Sequence, residues 1–305
     1  MRIVFMGTPD IAAQSLSAII AAGHDVCGVF TREDKPVGRK QILTAPPVKQ
    51  VALEHGIPVW QPKTLRDGSM DAVLQELAPE LIVVVAYGRI LPPSVLQLPK
   101  YGCINLHVSL LPKYRGSAPV QWSVLNGDTE TGVTIMQLDE GVDTGDILQV
   151  APVTIGENET SGELFDRISE LGAKTLCDTM VLIEKGEVTP VPQDHAAATH
   201  APMLTKEMGY FDFGKDARAL HNHIRGMNPW PVASFVCAEK RVKVLRSTVR
   251  EETGAPGTVL CLKPLVVACE NGSLCLEEVV PEGSRPMSGE VWAMGRRFAV
   301  GDRIE

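Results

Sequence analysis

No apolar run in the 305 residues approaches the roughly 20 needed to cross a bilayer, which excludes a helical membrane protein. The N-terminus also lacks the long apolar core of a secretory signal and opens directly on the strand-like MRIVFMG. A cytosolic protein with no membrane partner is expected. The seven cysteines, at 27, 103, 177, 237, 261, 269 and 275, form no C-x-x-C pair and have no histidine-rich neighbour. That excludes a disulfide framework or zinc module and leaves small buried hydrophobes of a reducing compartment. His221 and His223 stand two apart on a predicted helix, where their side chains diverge around the axis, so no metal is expected. G-x-G-x-x-G is missing too: the first turn reads Gly7-Thr8-Pro9, which weakens a dinucleotide-binding reading. A positive excess is absent as well. The net charge of −8 argues against indiscriminate coating of nucleic acid. The charge is uneven, with 15 basic against 24 acidic residues over 1–205 and 14 against 13 over 206–305. The relatively basic final third permits a nucleic-acid contact without requiring one.

What is present is the composition of an ordinary globular protein, 44% hydrophobic and 22% charged, long enough for two cores. Arg2 to Met6, Asp25 to Phe30, the β-branched run Ile82 to Ala86 and Ile104 to His107 read as strands of a parallel sheet. They alternate with helical patterns ending at Ala22 and covering 48–55, 68–77 and 117–125, which gives a doubly wound, Rossmann-like α/β domain. Ligands of such a sheet sit at the carboxyl ends of its strands, where Gly7, Tyr87-Gly88 and His107 fall. Strands at 127–137 and 147–153 follow, and Glu163 to Gly186 carries an apolar stripe at Leu164, Ile168, Leu171, Leu176, Met180 and Ile183. Residues 190–205 read as a linker. After a short helix at 216–226, alternating runs at 233–237, 241–247, 257–261, 264–269, 273–280 and 290–291 predict a small antiparallel, OB-like β-barrel. The expected division is therefore 1–189, linker 190–205 and 206–305.

Asn105 and His107 are two apart, so on an extended strand they share a face. Asp143 lies 38 positions after Asn105, in a loop flanked by Gly141 and Gly145 that could return its carboxylate to the imidazole. An amide donor, an imidazole and a carboxylate suit attack of an outside nucleophile on a carbonyl, with no serine or cysteine required. Spacing alone fits equally a strand-end histidine capped by a nearby aspartate. The surrounding text is more specific: NLHVSLLPKYRGSAP, NGDTETGVTIM and GVDTGDIL resemble the 10-formyltetrahydrofolate-dependent formyltransferases. That resemblance runs from MGTP through the final domain and is strongest over 102–146.

The resemblance implies Asn105, His107 and Asp143 as the catalytic set and 10-formyltetrahydrofolate as formyl donor. It implies a folate site formed by Arg89, Ile90 and Leu91 on one side, by Ser109, Leu110, Leu111 and Pro112 on the other, and by Glu140. Residues 31–49 read as a polar loop without periodicity, either a solvated mobile loop or a functional lid. Its KPVGR resembles the insertion that reaches the acceptor end in the branch acting on methionyl initiator tRNA. By that likeness Arg32, Lys35, Arg39 and Lys40 would face tRNA, and the final domain would contact it too; a monomer is expected. Phe213 stands where the family pattern implies tryptophan and Val232 where it implies glycine, both expected to be tolerable in packing. Rival readings are an amino-sugar-nucleotide formyltransferase, a nicotinamide enzyme and a non-catalytic RNA-binding module.

Overall fold

The computed structural model of the chain describes residues 1–38 and 40–304. Contacts divide it into two units. One holds Met1–Gly116, Gly132–Val153 and Arg167–His200, the other Ser117–Thr131, Thr154–Asp166 and the described residues from Ala201 onward.

The first unit is built on a seven-stranded sheet. Across it the strands run Ile147–Thr154, Glu130–Gln137, Cys103–His107, Leu81–Val85, Arg2–Gly7, Asp25–Phe30 and Val59–Trp60. The five from Cys103–His107 to Val59–Trp60 pair in parallel, while Glu130–Gln137 is antiparallel to Cys103–His107. The all-apolar strand Leu81–Val85 is buried along its whole length, as a strand covered on both faces must be. Arg2–Gly7, Leu81–Val85 and Cys103–His107 are neighbours, so their carboxyl ends lie side by side. Helices Asp10–Ala21, Pro47–Glu54 and Asp71–Leu77 stand close to the positions that periodicity predicts. Residues 31–49 differ from expectation. They contain a two-stranded hairpin, Lys35–Val37 with Ile42–Thr44, too short and too exposed to show alternation.

The second unit carries a six-stranded antiparallel sheet in the order Ser234–Cys237, Lys240–Arg250, Ser273–Pro281, Leu265–Ala268, Val259–Leu262, with Met287–Ser288 paired to Ser273–Pro281. Residues 290–291, expected as a strand, begin a helix, Gly289–Arg296. The signal was Ser288, whose hydroxyl accepts from Val291 N and so caps the helix start. Phe213 is fully buried and packs edge-on to Phe211 and Phe235. Val232 is less benign than expected. At φ +72 it holds a left-handed backbone that a β-branched side chain resists. Val232→Gly is expected to raise stability by up to about 1 kcal/mol, the relief of backbone strain exceeding the entropy that glycine adds to the unfolded chain. Urea unfolding of the two proteins measures it.

His221, on the helix Ala217–Gly226, donates from Nε2 to Glu157 O and accepts from the Ser247 hydroxyl at Nδ1. Burial holds its pKa below 6.5, and the nearby guanidinium groups of Arg225 and Arg218 push it the same way. Burial likewise lowers His107, His223 and His24. The unfolded chain therefore binds more protons than the folded one just below pH 6.5. This contribution to stability is complete above that value and is lost as pH falls through it toward the depressed folded values. The melting temperature is expected to drop between pH 7.5 and 5.5, and His221→Gln to shallow that drop.

Candidate active site

The strand Cys103–His107 is clamped on both edges. Asn105 pairs with Val84 on one side and Met136 on the other, and His107 pairs with Thr134. A Cβ added to Gly172 would meet Leu106 Cδ2 at 3.0 Å, so the helix Ser161–Lys185 approaches the opposite face of this strand closely. Asn105 and His107 thus point away from that helix, on one face. Asn105 is half-buried, and among the described residues its carboxamide has no hydrogen-bond partner.

His107 is 6% exposed. Its Nε2 lies 2.9 Å from the Tyr114 carbonyl, which can only accept, so this partner assigns the ring proton to Nε2. Nδ1 stands 3.6 Å from Asp143 Oδ2, too far for a hydrogen bond and close enough for an ion pair once the ring is protonated. Burial pushes the imidazole pKa below 6.5, against the opposite pull of Asp143 and the Tyr114 carbonyl. The resting ring is neutral, with a proton-accepting nitrogen on the Asp143 side. The choice of tautomer does not fall to Asp143, whose carboxylate stands beyond hydrogen-bond reach. The structure gives it to Tyr114, a backbone group that no side-chain pattern could reveal.

Asp143 reaches the imidazole from a strained position. Its φ of +55 is left-handed, a region a non-glycine residue enters at a cost of about 1–2 kcal/mol. Oδ2 accepts from Gly116 N at 2.8 Å. Asp139 accepts from Gly141 N and the Thr144 hydroxyl at the start of the loop, and a Cβ on Gly145 would overlap Gln137 O. Glycine at 145 is therefore dictated by close approach.

The turn after His107 is stitched internally. The Ser109 hydroxyl donates to Lys113 O, Leu111 N donates to the Thr134 hydroxyl, and that hydroxyl donates to Ser109 O. Ser109 and Leu111 are buried, Leu110 and Pro112 half-buried. On the neighbouring strand end, Tyr87 and Leu91 are core residues, whereas Ile90 is 53% exposed. Arg89 pairs with Glu33 at 3.0 Å, while the buried Arg89 Nε, Arg32 Nε and Tyr87 hydroxyl have no protein partner. Burial raises the Tyr87 phenol to about 12, so it stays protonated. Glu140 is exposed.

Of the four bases expected to face tRNA, Arg32 is half-buried against Gly88, and Lys35 and Lys40 are exposed on the hairpin. Arg39 lies outside the described residues. The hairpin's base is held by a network that spacing did not show: Lys49 Nζ donates to Asp34 and to Gln61, and Gln61 donates to Asp34 and to Arg32 O. Among the described residues no three His, Cys, Asp or Glu side chains are placed to hold a metal ion, and no helix is long and apolar enough to cross a membrane.

Two family descriptions match this chain, "Formyl transferase" over residues 1–180 and "Formyl transferase, C-terminal domain" over 203–297. This chain belongs to the formyl transferase family. Among its relatives in that family, the methionyl-tRNA formyltransferase of Geobacter metallireducens is 44% identical over 306 residues, covering 100% of this chain and 98% of the relative. That of Alkaliphilus oremlandii is 45% identical, with the same two coverages. The fold of this formyl transferase is also that of the Helicobacter canadensis N-formyltransferase solved with folinic acid and dTDP-3-aminofucose. Its TM-score is 0.68 at 18% identity, covering 94% of this chain and 100% of that one.

Proposed function

We propose that the chain transfers the formyl group of 10-formyltetrahydrofolate to the α-amine of methionyl initiator tRNA, giving N-formylmethionyl-tRNA for translation initiation. The observation that carries the chemistry is the convergence of Asn105, His107 and Asp143 at one strand end, with a bare amide beside a neutral imidazole. The choice of acceptor is supported by relatives of that name, alike over the full chain at 44–45% identity.

The folate is a substrate here and supplies the electrophilic formyl carbon. Its ring would lie between 89–91 and 109–112, with Glu140 at the margin. Exposed Ile90 and half-buried Leu110 offer apolar surface, and the unpartnered Arg89 Nε offers a donor. As the amine attacks, Asn105 donates to the oxygen that gains charge, a hydrogen bond that strengthens only as the charge develops. His107 Nδ1 takes the proton the amine must lose. The imidazolium so formed pairs with Asp143, whose carboxylate already stands on that side. His107 then returns the proton to the departing folate nitrogen, leaving the ring neutral as it began.

Arg32, Lys35, Arg39 and Lys40 form the contact to the tRNA acceptor end in this reading, and residues 206–305 a second contact beyond a catalytic region of 1–189 and the 190–205 stretch. The enzyme acts as a cytoplasmic monomer. The experiment is transfer of labelled formyl from 10-formyltetrahydrofolate to methionyl initiator tRNA, with an amino sugar nucleotide as competing acceptor. Label in tRNA alone is expected. Label in the sugar alone overturns the acceptor and leaves the chemistry standing.

A further inference from the structure

Asp143 is held where it is by a residue fifty positions away. Gln193, 6% exposed, donates from Nε2 to two carbonyls of the Asp143 loop, Asp143 O at 3.0 Å and Gly145 O at 2.7 Å. Its Oε1 accepts from Arg115 Nε at 3.2 Å and Nη2 at 2.6 Å, and Arg115, also 6% exposed, further donates to His195 Nδ1 at 3.1 Å. Arginine is donor-only, so it forces the amide oxygen of Gln193 toward itself and the amide nitrogen toward the loop. The carboxamide cannot flip without setting nitrogen against guanidinium and oxygen against two carbonyls. The residue next to Arg115 closes the circuit: Gly116 N donates to Asp143 Oδ2.

We propose that Gln193, oriented by Arg115, is a positioning residue for the formyl-transfer reaction. It pins the backbone of the strained Asp143 on one side while Gly116 pins its carboxylate on the other. The inference rests on the function proposed above and adds to it a residue outside the Asn, His and Asp set. Left-handed Asp143 has a backbone cost that unaided chain would relieve by relaxing. Two charge-neutral bonds in a buried site are enough to oppose that relaxation, and a loss of them moves the carboxylate away from His107.

The test uses Gln193→Ala and Gln193→Glu in the full-length enzyme. Glutamate keeps the size and the Arg115 contact but places oxygen against both carbonyls, so it is expected to fail as alanine does. Each variant is expected to lower kcat about 10- to 100-fold, the scale of a small misplacement at a reacting group, with the KM for folate changed less than about twofold. In an Asp143→Asn background the same substitutions are expected to cost less than about threefold, because the group they position is already disabled. Amide exchange provides a readout that needs no substrate. Gly116 N–H is expected to lose protection in both variants while the strand amides of Asn105 and His107 keep theirs. Costs that multiply in full with Asp143→Asn, or a Gly116 amide as protected as in the wild type, overturn the proposal. Failure of the wild type to formylate methionyl-tRNA overturns the function instead, and the Gly116 exchange then still decides whether Gln193 holds the loop.

Discussion

His107→Ala is expected to lower kcat for formyl transfer by about 10²–10⁴-fold, the range for loss of a positioned acid–base group. The ring carries its single proton on Nε2, committed to Tyr114 O, so the exchangeable site is Nδ1. The other nitrogens bonded to Asp143, Gly116 N and Gln193 Nε2, are amides that donate and cannot take up a proton. Burial keeps that nitrogen unprotonated at neutral pH. The acid limb of the wild-type kcat is accordingly expected below pH 6.5, since activity requires the neutral ring and is lost as pH falls through its depressed pKa. Truncation also strips the Tyr114 carbonyl of its donor, at a stability cost of about 1–3 kcal/mol. His107→Asn keeps a donor in the pocket and serves as the control for folding. A correctly folded alanine variant with a rate near that of the wild type would sink the assignment.

Asn105→Ala is expected to cost about 10²–10³-fold in kcat, the loss typical of one oxyanion donor, with little change in either KM. The reason for confining the effect to kcat is that the carboxamide has no protein partner among the described residues to lose. Its strand is held by backbone pairing to Val84 and Met136, which alanine preserves. Asn105→Asp sharpens the test. It keeps the volume but faces the developing negative charge with another, so its rate should fall below that of alanine. An aspartate variant as active as the wild type would show that no charge develops there.

Most elements were legible because their signals are local. The run Ile82 to Ala86 announces a strand covered on both faces, and the apolar stripe at Leu164, Ile168, Leu171, Leu176, Met180 and Ile183 announces a helix with one buried side. In the structure these residues are in the core, apart from exposed Ala86 at the strand's end and Leu171 and Ile183, which are half-buried at the edge of the stripe. The hairpin at Lys35–Thr44 escaped because six exposed strand residues carry no alternation. The start of the helix Gly289–Arg296 reads as a strand because its apolar residues resemble the runs before it, and only the Ser288 cap marks a helix. Val232 fits by volume, and its cost lies in the left-handed backbone, which residue size does not reveal.

The site divides along the same line. Asn105 and His107 share a face for a reason contained in two residues of extended chain, so spacing sufficed. The motifs around them and around Asp143 resemble those of formyltransferases on sequence alone. What sequence could not supply was everything that makes those three groups act together: the Tyr114 carbonyl that sets the tautomer, the 3.6 Å approach of Asp143, and the Arg115 and Gln193 bonds that hold it. Side-chain identity and short-range periodicity are written into neighbouring residues. The meeting of groups 36 and 50 positions apart depends on how the sheet closes and where its loops land, and only the folded backbone decides that.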